Sequence, residues 1–182
     1  MRLLRIAVLG LFLMLGGCQY VAVQSSQLSS AISVFSSDSN ELLSSLWTVQ
    51  YGGYSATMQT VIADHATVFV NGSDGIYFDG WLISKVSGLS SFTPAWELQD
   101  SDGERSFVVN GQIVATHQCA PWSTVVAEAG VRYEQQCVGN KAYTNMILVN
   151  SLGQIIAIEQ VVDSSLMVLK LRFNNELGLA KG

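Results

Sequence analysis

The chain has 182 residues, of which 49% are apolar and only 13% charged, with a formal charge of −5 and two prolines. That composition suits a single domain with a substantial core. Scattered acidic charge argues against binding to nucleic acid or to anionic headgroups, and against a non-specific grip on acidic polysaccharide.

The N-terminus reads as a leader. Arg2 and Arg5 precede a continuous apolar run, Ile6 to Leu15, too short to cross a bilayer. Gly16 and Gly17 then give an unobstructed backbone before Cys18. Leu15-Gly16-Gly17-Cys18 resembles the lipobox of bacterial lipoproteins. The resemblance implies a diacylglyceryl thioether on Cys18, cleavage before it and an acyl chain on the new amino terminus. Two or more acyl chains give a stable anchor where one gives marginal binding. The rival reading is an ordinary secretory signal with a stray cysteine. Gln19 stands where an aspartate signals inner-membrane retention, so in a diderm host the expected address is the outer membrane, facing the periplasm. Loss of residues 1–17 leaves seven basic residues against fourteen acidic ones, a formal charge of −7.

Residues 18–39 are rich in serine and read as a flexible stalk, with Leu28, Ile32 and Phe35 at the spacing of a short amphipathic helix. Ser39-Asn40-Glu41 reads as a helix or turn start leading to Leu42, Leu43 and Leu46. Residues 40–182 are expected to form one β domain.

From Leu46 the sequence breaks into short runs rich in Val, Ile, Tyr and Phe: LWTVQYG, ATMQTVIAD, ATVFVN, GIYFD, WLISKV, RSFVVN, QIVATHQ, VRYEQQC, YTNMILVN, QIIAIEQVV and LMVLKLRF. Asp79-Gly80 and Asn110-Gly111 favour type I′ hairpin turns, and Asn71-Gly72 and Leu152-Gly153 mark further turns. In the last run Leu169, Leu171 and Phe173 alternate with Lys170 and Arg172, so one face is buried and the other wet. The expected class is all-β and mostly antiparallel: a sandwich, a prism-like fold or a half-barrel.

Cys119 and Cys137 remain once Cys18 is lipidated, and an oxidising compartment makes a disulfide the natural inference. Closing that loop contributes about 3 kcal/mol in the chain-entropy model. A redox or metal pair is the weaker reading, since there is no C-x-x-C and His117-Gln118-Cys119 offers only two ligands. No metal or cofactor is expected.

Catalytic signatures are missing from the sequence. His65 and His117 lie in no H-E-x-x-H spacing, there is no G-x-S-x-G elbow, and Asp64-His65 has no defined nucleophile partner. Asp100, Asp102 and Glu104 begin like an EF-hand loop, but the glycine is misplaced and the closing glutamate absent, so a solvated turn explains them better. Trp47, Trp81, Trp96 and Trp122 form no spaced ladder and are expected in the core. Trp122 is expected against the disulfide, and Trp96, beside Pro94, is expected as an exposed loop aromatic.

DGWLISKVSGL (Asp79 to Leu89) and GQIIAIEQVV (Gly153 to Val162), in this order behind a lipobox, resemble the group 4 capsule polysaccharide lipoprotein family, also called YjbF/GfcB-like. Ser44-Ser45-Leu46 and Tyr143-Thr144-Asn145 fit more loosely, and the resemblance runs from about residue 40 to 173. It implies an all-β domain on the outer membrane, a place in making or exporting capsule or exopolysaccharide, and partners that include an outer-membrane export barrel. It implies no catalysis. The expected function is therefore a non-enzymatic accessory or scaffold lipoprotein, held to the membrane by its anchor. The rivals are a half-barrel carrying a hydrophobic ligand, as in lipoprotein localisation, and a polysaccharide-binding module.

Overall fold

The computed structural model describes residues 45–63, 66–90 and 92–174. Cys18, the serine-rich segment and Asp64-His65 lie outside them. The described residues form thirteen strands: β1 (Leu46–Tyr51), β2 (Tyr54–Ala63), β3 (Ala66–Asn71), β4 (Asp74–Phe78), β5 (Ile83–Gly88), β6 (Phe92–Ser101), β7 (Glu104–Val109), β8 (Gln112–Cys119), β9 (Ser123–Ala127), β10 (Gly130–Val138), β11 (Ala142–Val149), β12 (Ile155–Val161) and β13 (Val168–Phe173). All neighbours are antiparallel, and twelve of the strands close into a barrel, with β9 attached to the outer part of β10. The described residues are all-β and antiparallel, as expected, and their sheet is a fully closed barrel.

The alternation seen in the sequence sets the inside and the outside. On β13, Leu169 and Leu171 are buried while Lys170 and Arg172 are exposed. The outer face carries ion pairs between Lys85 and Glu97 and between Arg172 and Glu159. Apolar inside and charged outside is the reverse of a lipid-facing barrel.

Twelve strands enclose more space than an eight-stranded barrel, whose own side chains fill it. Here the ring is collapsed so that its walls touch. Trp47, Phe69, Met58, Phe107, Ile147 and Leu171 are among the fully or nearly fully buried side chains of one core. Tyr51 on β1 meets Phe92 on β6 with ring centroids 4.9 Å apart. β5 and β12 have five strands between them in either direction around the ring, yet Gln160 of β12 bonds the backbone of Ile83 on β5. Each large apolar side chain taken out of water contributes roughly 1.5–3 kcal/mol, so the collapse supplies the stability an open lumen would forgo.

The turns answer to local chemistry. Asn110 and Gly111 both have positive φ, 51° and 73°, and form the two-residue turn between β7 and β8. Asp79-Gly80 does not make such a turn. It opens a four-residue corner in which Asp79 Oδ1 accepts from the N–H groups of Trp81 and Leu82. This corner lowers Trp81 toward Trp122 and Tyr133, at centroid distances of 5.4 and 5.3 Å.

Two strands have no counterpart among the β runs of the sequence. β6 contains Pro94, which falls where β6 has no registered partner on either side. Trp96 is on this strand, half-buried and edge-on to Phe92, not an exposed loop residue. Its partners are Val86 and Val109, both on the inner face. β9 is short and exposed, with Val126 at 91% exposure.

Candidate functional site

β8 and β9 run in the same direction along the same side of β10. β8 reaches β10 only at its end, through the pairs Gln118–Val138 and Cys119–Cys137. After Ala120-Pro121-Trp122 the chain resumes as β9, which pairs with residues 130–134 of β10. The ring therefore closes on two ladder pairs, where the other junctions have between three and eight. Cys119 and Cys137 are bonded at this point, their Cα atoms 4.1 Å apart. The disulfide joins directly opposed residues of the closing seam.

A buried polar cluster stands behind it. Arg105 on β7 is only 1% exposed. Its Nε and Nη2 donate to the two carboxylate oxygens of Asp100 on β6 at 2.9 and 3.2 Å. Nη2 also donates at 3.2 Å to Gln135 Oε1 on β10, across the seam. Nη1 has no acceptor among the described residues. Gln135 Oε1 accepts in addition from Asn145 Nδ2 at 3.2 Å, and Asn145 Oδ1 accepts from the N–H of Val161. Side chains of β6, β7, β10 and β11 are thereby linked to the backbone of β12. A buried charge survives only when paired and hydrogen-bonded, and Asp100 supplies the pair. Asp100 is not a turn residue in solvent: its carboxylate is taken up by Arg105.

His117 on β8 is buried between Phe107 and Tyr143, and its Nδ1 lies 2.9 Å from the Tyr143 hydroxyl. Burial, reinforced by the Arg105 charge, holds its pKa below the ordinary value, so the ring is neutral near neutral pH. Burial pushes the Tyr143 hydroxyl up to about 12 despite the pull of Arg105. Gly139 lies flat against the imidazole: a Cβ there would be 2.4 Å from His117 Cδ2. The arrangement orders a neutral imidazole by packing.

Trp122 packs on Trp81, and the planes of the two rings are tilted by 42°. With Tyr133 edge-on at 88°, these aromatics make an interlocked plug and not a flat stacking platform. The outer surface offers a groove of about 430 Å³ by the β11–β12 hairpin, lined by Leu148, Leu152, Gln154, Ala157, Arg172 and Phe173 among others.

The structure brings Cys119, Cys137 and His117 to one seam, together with Asp100. Arg105 and Gln135 were not singled out by the sequence, and Asn145 appeared only as the end of Tyr143-Thr144-Asn145. Their signal was polar side chains at inward positions of the alternation: Gln135 falls between Tyr133 and Cys137 in VRYEQQC.

The fold has a solved counterpart. The chain is similar to the hypothetical lipoprotein YmcC from Escherichia coli K12, with a TM-score of 0.52 and 12% identity over 86% of this chain and 97% of that one. At that identity the likeness is one of fold. No protein-family model and no curated protein matches the sequence.

Proposed function

We propose that the protein is a lipid-anchored, non-enzymatic accessory or scaffold of capsule or exopolysaccharide production or export, moored at the outer membrane and facing the periplasm. The observation that carries this reading over a carrier is the contact between opposite barrel walls through Gln160 and Ile83. A hydrophobic-ligand carrier needs an apolar chamber of several hundred Å³, and here the described residues pack Met58, Phe69, Phe107, Ile147 and Leu171 into one core. Recognition then belongs to the surface.

The lipobox at Cys18 supports the anchor, and the shared fold with a protein titled a lipoprotein agrees with it. The two segments that resemble the capsule family are, in the fold, the β4–β5 corner with β5 and the β12 strand with its preceding turn. Gln160 joins them, bonding Ile83 N and Trp81 O. Acyl chains confine the barrel to a plane and raise its effective concentration near membrane partners. A surface groove or strand edge then supplies the contact.

The test is crosslinking and pull-down of the lipidated protein from envelopes, with a Cys18→Ala control. Recovery of an outer-membrane export barrel or of sugar polymer, lost in the control, is the expected result. Recovery of diverse acylated proteins would transfer the assignment to a carrier.

A further inference from the structure

At the seam a covalent bond does what the ladder does elsewhere. On one side of the two shared pairs, residues 112–117 of β8 pair with β7 and leave β10 behind. On the other side, Ala120-Pro121-Trp122 interrupts the strand before β9 rejoins β10. Among the described residues the junction is also crossed by the short ladder, the bond from Ala120 N to Gln136 O at 2.8 Å, the side-chain contacts Arg105–Gln135 and His117–Tyr143, and the packing of Gly139 on the His117 ring. The two cysteines are both buried, Cys119 at 8% exposure and Cys137 at 1%, and Cys137 Sγ lies 3.5 Å from the donor Asn145 Nδ2.

We propose that the Cys119–Cys137 bond is a redox-operated latch: reduction by a dithiol parts the β7–β8 hairpin from β10 locally, with Ala120-Pro121-Trp122 as the hinge and the rest of the ladder intact. The reductant's thiolate attacks Cys119 Sγ, on the less buried of the two residues. The Sγ–Sγ bond breaks, and the electron pair leaves on Cys137 as a thiolate that accepts from Asn145 Nδ2. The second thiol of the reductant, as thiolate, then attacks the mixed disulfide and releases Cys119. The reductant becomes a disulfide, two electrons pass to the protein, and both cysteines take up protons. Parting the strands removes the Gln135 bond from Arg105 but leaves its Asp100 pair, since β6 and β7 move together. β8 and the end of β10 then present unpaired strand edges beside exposed Ile113, Val114 and Val138.

The experiment is hydrogen–deuterium exchange by mass spectrometry on the full, membrane-reconstituted protein, with and without dithiothreitol. Peptides covering residues 117–122 and 134–139 are expected to exchange on the order of tenfold faster on reduction while β1–β5 keep their protection. The double variant Cys119→Ala/Cys137→Ala is expected to reproduce that pattern without reductant. Brief exposure to glutathione is expected to leave its adduct on Cys119. An unchanged seam, or protection lost throughout the ladder, overturns the latch; an adduct on Cys137 overturns the order of attack.

Discussion

Gln160 and Ile83 sit on opposite walls of a twelve-stranded ring and are joined by a hydrogen bond of 2.9 Å. The same side chain donates to Trp81 O at 2.7 Å, so both ends of the buried amide are used. One residue thus fixes the Asp79–Leu82 corner against β12 and sets how far the barrel collapses.

Gln160→Leu keeps the volume but leaves Ile83 N and Trp81 O unpaired. An unsatisfied buried backbone group costs about 1–3 kcal/mol. The variant is expected to lose roughly 2–4 kcal/mol in urea denaturation, with the midpoint lowered and the m-value unchanged.

The Arg105–Asp100 pair is asymmetric, since the Asp100 side chain is 26% exposed and that of Arg105 is 1%. Arg105→Met leaves a carboxylate that water can reach. Asp100→Asn leaves a buried guanidinium without its counter-charge, and breaking a buried pair in this way costs about 3–5 kcal/mol. Asp100→Asn is therefore expected to be the more damaging change, as read by the denaturation midpoints of the two variants.

His117 titrates in a window of its own. Its folded-state pKa is depressed, by burial first and by Arg105 second. The unfolded chain then binds more protons below about pH 6.5, so this contribution is present above that pH and is lost as pH falls toward the folded-state value. Wild type is expected to lose more stability than His117→Gln between pH 7.5 and 5.5 in parallel denaturation series. Equal losses would remove His117 from the pH response.

Two glycines separate conformation from space. Gly111 has φ of 73° with nothing near its missing Cβ, so Gly111→Ala carries only the left-handed backbone penalty, about 1–2 kcal/mol. Gly130, at the start of β10, has φ of 139° and would put a Cβ 2.0 Å from Val149 O. Gly130→Ala must displace the β10–β11 ladder and is expected to cost upward of about 3 kcal/mol, or to yield no folded protein in thermal melts.

Much of the molecule was legible in the residues. Alternation in LMVLKLRF placed Leu169 and Leu171 inside, and Asn110-Gly111 predicted a turn that forms at those two residues. β6 was hidden by Pro94, and β9 by a run too short and too exposed to alternate. The polar cluster was hidden for another reason: Arg105, Gln135 and Asn145 look like solvent-facing residues until their strands are ordered around the ring.

The sequence by itself determined eleven of the thirteen strands, most of the turns it marked and which face of the last strand is dry, because these follow from the period of two and from residues that accept positive φ. The tertiary structure alone decided that the sheet closes, that it closes at Cys119 and Cys137, and that opposite walls meet through Gln160. Those facts depend on register and stagger summed over twelve strands, and no local stretch of chain carries that sum.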